Sequence, residues 1–233
     1  MTPTQRFSRL PRFVRRWALY FESRIEEAVF DFAATLPARA RLLDAGAGEG
    51  RYRASFPSCR YTGVDLAVGD ADWNYSALDA VADLNALPFP TSTFDAALNV
   101  VTLEHLRDPQ LALTEIARVL KKGAPLLLVA PLEWEEHQQP HDYFRYTRQG
   151  LTLLLDRAGF GEIRIEPAGG FFRLLSRRLL NGLQFFMRGP RWLLFVPAAL
   201  VFVPLSLVLP VLEPLDTERN FTLGYLCVAR KSS

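Results

Sequence analysis

From residue 8 to residue 36 apolar side chains recur at steps of mostly three or four, at Phe13, Trp17, Tyr20, Phe21, Ile25, Val29 and Phe32, and the pattern stops at Pro37. That period predicts an amphipathic helix packed on a core, ended by a proline that cannot continue it. The period then changes. "RLLDA", "RYTGVD", "DAALNVV", "APLLLVAP" and "EIRIEP" are short apolar runs, and helical patterns such as "PQLALTEIARVLKKG" lie between several of them. Strands alternating with helices predict βαβ units, hence an α/β fold with a parallel, doubly wound sheet. A last strand is expected in "RNFTLGYLCVARK". Before it stands "RWLLFVPAALVFVPLSLVLPVL", residues 191–212, which carries no charge after its first arginine. About twenty such residues suffice to cross a bilayer. Pro197, Pro204 and Pro210 are expected to break this stretch into short helical pieces, which suits a re-entrant or in-plane arrangement.

Composition narrows the picture. At 233 residues, 49% of them hydrophobic and 22% charged, the chain can bury one large core and carry an appendage. A net charge of +2 gives no overall pull towards nucleic acid. Locally the balance is different: Pro167 to Leu212 contains no acidic residue but includes Arg173, Arg177, Arg178, Arg188 and Arg191. Basic residues beside an apolar run suit an anionic membrane surface. Cys59 and Cys227 fit no metal or redox spacing, which implies a reducing compartment. The N-terminal residues mix arginines with aromatics and lack a signal-peptide apolar core, so a cytoplasmic location is expected. There are no internal repeats.

The candidate chemistry begins in "RLLDAGAGEGRY", a strand followed by an acid, three alternating glycines and an expected helix start. In an open parallel sheet ligands bind beyond the carboxyl ends of the strands, and glycine lets the backbone approach them through positive φ angles. Asp65 ends the next strand about 20 residues on, where a carboxylate can take both hydrogen bonds of a ribose diol. A nucleoside ligand is therefore expected. Dinucleotide sites read G-x-G-x-x-G, with a pyrophosphate at the helix N-terminus. Here Gly46, Gly48 and Gly50 read G-x-G-x-G behind Asp44, with no basic residue before Arg51. An acid at the turn favours a ligand with a positive charge, such as an amino group or a sulfonium.

These residues resemble the first motif of class I S-adenosylmethionine-dependent methyltransferases. The likeness continues in order through "VDLA", "ADLNALPFPTSTFDAALNVVTLEHLRDP", "EIARVLKKGAPLLLVAP" and "HDYFRYTRQGLTLLLDRAGF", and is strongest to the methyltransferase type 11 group, which includes quinone-biosynthesis enzymes. The resemblance implies a Rossmann-like fold with a seven-stranded, mostly parallel sheet, helices on both faces, and a last strand inserted antiparallel between two others. It implies S-adenosylmethionine as cofactor, with Asp44, Gly46, Gly48 and Gly50 at its methionine part, Asp65 and Leu66 at the ribose, Asp83 and Leu84 at the adenine, and Asn99 on a strand end facing it. Ala124 replaces a glycine common after "KKG", a change that concerns a turn.

Methyl transfer to a hydroxyl needs alignment and a proton acceptor. His105, in "TLEHL", and His141, in "PLEWEEHQQPHDYFRYT", are the candidate catalytic bases. Tyr143, Arg145 and Tyr146 supply the polar and aromatic mixture of a substrate pocket wall. His137 and His141 are four apart beside Glu135 and Glu136, but Pro140 spoils a common helical face, so no metal is expected. The expected organisation is an N-terminal amphipathic segment, 1–37; a methyltransferase domain, 38–167 and 216–233; and an inserted membrane-associating element, 168–215. The resemblance implies that the strands on either side of that insert belong to one sheet, so a single crossing by 192–212 is not expected. A monotopic attachment to the inner face of a membrane is expected, with arginines at headgroup level and a small or lipid-like acceptor such as a lipid-linked glycan or a quinone. The competing expectations are a buried helical hairpin or dimer interface at 168–215, and a cofactor-binding protein that recruits partners without catalysis.

Overall fold

The computed structural model describes residues 16–17, 19–70 and 72–232; Phe13 and the first part of the expected N-terminal helix lie outside the described residues. The chain forms two compact units: one is Ile25–Glu166 with Tyr225–Ser233, and the other is Pro167–Gly224 with the described residues up to Arg24. The first helix, α1 (Tyr20–Thr35), contributes to both. Phe21, Ile25, Val29 and Phe32 form its buried side, as the spacing of apolar residues requires.

The larger unit is built on seven strands, β1 (Arg41–Ala45), β2 (Arg60–Asp65), β3 (Ala80–Val81), β4 (Ala96–Val100), β5 (Pro125–Pro131), β6 (Phe160–Pro167) and β7 (Gly224–Lys231), in the order β3-β2-β1-β4-β5-β7-β6. β3, β2, β1, β4 and β5 pair in parallel. At β7 the direction reverses. The Lys231 N–H donates to Ala124 O at 3.0 Å and the Ser232 N–H to Gly159 O at 2.9 Å, so the end of β7 meets the starts of β5 and β6. The sheet is therefore mixed, with its antiparallel strand inserted between two others. Leu42, Leu43, Leu98, Leu126 and Leu128 are fully buried, the continuous apolar reading expected of parallel strands covered on both faces. β6, at the edge, alternates partly buried and exposed positions after the buried Phe160, with Glu162, Arg164 and Glu166 exposed; charges on an edge strand discourage pairing with another chain.

Two further helices cover this sheet. α2 (Pro109–Val119) is started by the Asp108 carboxylate, which accepts from the Leu111 N–H at 3.0 Å, with Pro109 in the first turn. α3 (Arg148–Arg157) is capped by Thr147. The helix expected straight after the glycine turn is reduced to one 3-10 turn, Arg53–Ser55. Pro57 accounts for this: it locks its own φ and pushes Phe56 out of the helical region, to φ −122° and ψ 53°.

The smaller unit contains α4 (Phe171–Gly182) and a helical run, Gly189–Leu215, made of a 3-10 segment, α5 (Phe195–Val208) and a second 3-10 segment, Leu209–Leu215. The expected break at each proline does not occur. Pro204 lies inside α5, and Pro210 stands where the helix tightens to 3-10, so the prolines change the winding without ending the run. α4 and α5 pack together, with the Ser176 hydroxyl donating to Ser206 O at 2.7 Å, and Phe186, in the 3-10 turn after α4, places its ring 6.2 Å from that of Phe202. The start of α4 is held by carboxylates: Glu213 accepts from the N–H groups of Gly170 and Arg173 at 2.5 and 2.9 Å, and Asp216 from that of Phe171 at 2.7 Å. Chain entry and exit meet, since the Ala168 N–H donates to Gly224 O at 2.9 Å.

Candidate functional site

The parallel strands bring three acids to one edge of the sheet: Asp44 near the end of β1, Asp65 at the end of β2 and Asp83 two residues beyond β3. Between the first two runs the glycine turn. Gly46, Gly48 and Gly50 have φ values of +88°, +51° and +73°. A Cβ on Gly46 would lie 2.2 Å from Thr102 Cγ2, so the turn lies close against the loop after β4. The Asp65 carboxylate is held by two backbone N–H groups, Gly48 at 2.9 Å and Ala67 at 2.8 Å, one on each oxygen. Each oxygen keeps a second lone pair for a ligand. Asp44 is 1% exposed, and the Tyr61 hydroxyl, from β2, donates to it. Burial pushes its carboxyl up to about 7 despite that bond, with Asp65 adding repulsion and Arg53 opposing it. A buried carboxylate in that state gains most from a cationic partner. Asp83 is exposed, with Oδ1 accepting from the Asn85 N–H at 2.8 Å. The residues present thus fit a nucleoside carrying a positive charge.

Beside this edge, the loops after β4 and β5 interlock. Glu104 is fully buried in a 3-10 turn, Leu103–His105, and its carbonyl accepts from the Tyr143 N–H at 2.9 Å. Burial raises its carboxyl to about 8. His105 lies beside it, Nδ1 2.7 Å from the carbonyl of His141, and burial lowers its pKa. His137 stacks edge-on against His105 with ring centres 4.7 Å apart. Asp142 ties the loop together: it accepts from the His137 N–H at 2.9 Å and takes a two-pronged pair from Arg145 at 2.6 and 2.7 Å. The Arg145 bonds hold the Asp142 carboxyl down at about 2.

A methyltransferase-domain family matches residues 43–128, the stretch from β1 through the first part of β5. These residues carry the likeness to a methyltransferase domain. The tRNA (carboxymethyluridine(34)-5-O)-methyltransferase of Arabidopsis thaliana is 32% identical over 115 residues, covering 46% of this chain and 27% of that protein. The ubiquinone/menaquinone biosynthesis C-methyltransferase of Syntrophotalea carbinolica is 31% identical over 140 residues, covering 54% of this chain and 53% of that one. The chain thus spans from about a quarter to about half the length of these relatives. Among solved structures, a SAM-dependent methyltransferase from Archaeoglobus fulgidus superposes with a TM-score of 0.59 at 14% identity, covering 89% of this chain and 93% of that one. At that identity the likeness establishes the fold.

In the larger unit Asp44, the three glycines and Asp65 converge at one place, and Leu66, 49% exposed, follows them. Leu84 is a core residue at 2% exposure, so at this position the backbone and Asp83 are what a ligand can meet. Asn99 is fully buried and its amide donates to Ala45 O at 2.8 Å, which ties β4 to the end of β1. His105 and His141 are brought together by the bond between ring and carbonyl. The expected pocket wall needs correction. Tyr146 is buried, with its hydroxyl donating to Leu103 O at 2.8 Å, and acts as a support for the 3-10 turn. Arg145 also donates to the carbonyls of Trp134 and Glu135, so its guanidinium is spent on the loop itself. Only Tyr143 of the three is exposed, its hydroxyl accepting from Arg107 at 3.1 Å. The sequence patterns do not single out Glu104, Thr102 or Tyr61, while Asp142 is read with His141 and Tyr143 as part of the loop and proves to be the group that ties it together. Glu104 carries a readable signal, an acid embedded in the apolar run "VVTLEHL"; Tyr61 carries none, because its role depends on the pairing of β1 with β2.

Proposed function

We propose that the protein is an S-adenosylmethionine-dependent methyltransferase that acts on a small, amphipathic acceptor at a membrane surface. The observation that carries the reading is the line of Asp44, Asp65 and Asp83 along one sheet edge, with the positive-φ glycine turn between the first two. The cofactor supplies an electrophilic methyl group on a sulfonium. Asp44 holds the cationic methionine part, Asp65 the ribose hydroxyls, and Asp83 the exocyclic amine of the adenine. The interlocked loops after β4 and β5 orient the acceptor, with Tyr143 at its ring or chain and His141 taking the proton of a hydroxyl acceptor. A quinone-like acceptor is in keeping with the relative from Syntrophotalea carbinolica, which acts in ubiquinone/menaquinone biosynthesis.

The membrane part rests on the smaller unit. Gly189–Leu215 is long and apolar enough to cross a bilayer by length and composition, with mean hydropathy 2.4, yet only 11% of its most apolar window is buried. Trp192, Leu193, Leu194, Leu200, Val201 and Val211 are all more than half exposed. So much exposed apolar surface suits an interface with lipid. Since Ala168 and Gly224 are hydrogen-bonded, the insert leaves and returns on the same side, as a monotopic element does, and attachment on the cytoplasmic face fits the two free thiols. Of the arginines expected at headgroup level, Arg173 stacks on Trp17 and Tyr20, Arg177 pairs with Glu22 at 3.3 Å and Arg178 is partly buried, whereas Arg188 and Arg191 are exposed and suit that role.

The test incubates membranes from cells making the protein with methyl-labelled S-adenosylmethionine and partitions the products. Label in the organic phase that disappears with Asp44→Asn supports the whole reading. Label confined to water moves the acceptor to a soluble metabolite. No label, with cofactor binding shown separately, reduces the protein to a cofactor-dependent recruiter of partners.

A further inference from the structure

Four buried polar atoms lie together around Glu104 without a hydrogen bond to any described residue. Both carboxylate oxygens of Glu104, Nε2 of His105 and Nε2 of His137 are buried, and none has a hydrogen-bond partner among the described residues. The tautomers follow from the other ring nitrogens. His105 Nδ1 is 2.7 Å from His141 O, and His137 Nδ1 is 3.1 Å from Glu135 O and 3.4 Å from Asp142 Oδ2; these partners can only accept. Each Nδ1 therefore carries the proton, and each Nε2 presents a lone pair towards the carboxylate. Such a set of acceptors is costly to bury unless a cation joins it.

The spacing selects the kind of cation. Nε2 of His105 and of His137 lie 3.8 and 3.9 Å from Glu104 Oε1, too long for direct hydrogen bonds even were a ring protonated, and the three ligand atoms all lie within 4.8 Å of one another. Ligands about 2.1 Å from a tetrahedral metal stand about 3.4 Å apart, so closure by no more than about 1.4 Å seats an ion between them. The outer contacts are those of a metal site as well. The Asp142 carboxylate at His137 Nδ1 and the carbonyl at His105 Nδ1 fix the ring orientations, and Arg145 fixes Asp142 through two bonds of 2.6 and 2.7 Å.

We infer that Glu104, His105 and His137 form a binding site for one divalent cation of the zinc class, with three protein ligands and a position open to an acceptor oxygen. The open position rests on the methyltransferase reading; the site itself does not. Its ligands differ from the His137 and His141 pairing that the sequence spacing brings to mind: His141 contributes its backbone carbonyl to orient His105, and its ring lies instead 3.1 Å from the Tyr143 hydroxyl.

The experiment takes the full chain, strips it with a chelator, and titrates it with Co²⁺ followed by Zn²⁺, reading the visible spectrum of bound cobalt, while S-adenosylmethionine binding is measured on the same samples by calorimetry. The expected result is one Co²⁺ per chain with the absorption of a four- or five-coordinate site, displaced by one Zn²⁺. His137→Ala and Glu104→Gln each weaken binding at least a hundredfold, and His141→Ala leaves the stoichiometry at one. Absence of a stoichiometric site, or binding indifferent to His137→Ala, overturns the inference; His137 lies on a partly exposed loop, so this variant serves even if Glu104→Gln fails to fold. Cofactor binding without cobalt binding removes the metal site alone. Cobalt binding without cofactor binding removes the methyltransferase reading and leaves the metal site standing.

Discussion

Asp44→Asn separates what the site costs the fold from what it gives to binding. Asp44 is buried in the larger unit with the Tyr61 hydroxyl as its partner, and its carboxyl is raised from 3.8 to about 7. A carboxyl with a raised folded-state pKa favours folding fully below its unfolded value, and the advantage is lost as pH rises through the folded value. The contribution therefore falls between pH 4 and 7 and is flat above that. At 1.36 kcal/mol per pKa unit, a shift of about 3 units makes the ionised group cost about 4 kcal/mol above pH 7. Asparagine keeps an oxygen for Tyr61 and cannot ionise. The variant is thus expected to match the natural protein near pH 4 and to become more stable than it with rising pH, by several kcal/mol at pH 8. The assay is urea unfolding of both proteins from pH 4 to 8.5, comparing the difference so that titrations common to both cancel. The same variant binds S-adenosylmethionine at least tenfold more weakly at pH 8, and binding to the natural protein releases a proton below pH 7, visible as a buffer-dependent heat. A stability difference that does not change from pH 5 to 8 would refute the reasoning, because Asp44 would then be ionised at no cost beside Arg53.

Three other outcomes are expected. Gly46→Ala places a Cβ 2.2 Å from Thr102 Cγ2 at φ +88°, so it lowers unfolding free energy by about 2–4 kcal/mol, and adding Thr102→Ala recovers part of that loss but not the strain of a positive φ; equal stability of the single variant and the natural protein refutes the turn geometry. Tyr146→Phe leaves the Leu103 carbonyl without the hydroxyl that it accepts from, which costs about 1–3 kcal/mol in denaturant unfolding while leaving cofactor affinity within twofold. Leu200→Glu with Val201→Glu, at two positions more than half exposed, leaves the melting temperature nearly unchanged and reduces binding to anionic vesicles in a sedimentation assay at least tenfold; undiminished vesicle binding excludes the apolar run as the contact.

What could be read in the sequence followed the physics that acts over short range. A glycine at φ +88° and an acid at a strand end are decided within a few residues, so the turn at 46–50 and the placing of Asp44 and Asp65 at neighbouring strand ends are legible before any fold is known. The strands were legible for a similar reason, since each is a short apolar run bounded by turn residues, and β2 and β5 coincide with the expected runs. The helix expected after the glycine turn is cut short for a local reason: Pro57 leaves too few residues for a second turn. The loop cluster was hidden for another reason. His137 was judged against His141, its neighbour in sequence, whereas it meets Glu104 and His105, which come from a different strand end. Spacing along a chain reports on partners only where the backbone is regular, and residues 132–147 contain no helix or strand. The same logic reassigns Arg145 and Tyr146. Polar and aromatic residues in a loop read as a pocket wall, yet an irregular loop must also satisfy its own carbonyls and charges, and here Arg145 is consumed in doing so, at Trp134, Glu135 and Asp142. A loop held so firmly by its own side chains keeps the rings of His105 and His137 in fixed orientations, and fixed orientation is what a ligand for a metal, or for a reacting oxygen, requires.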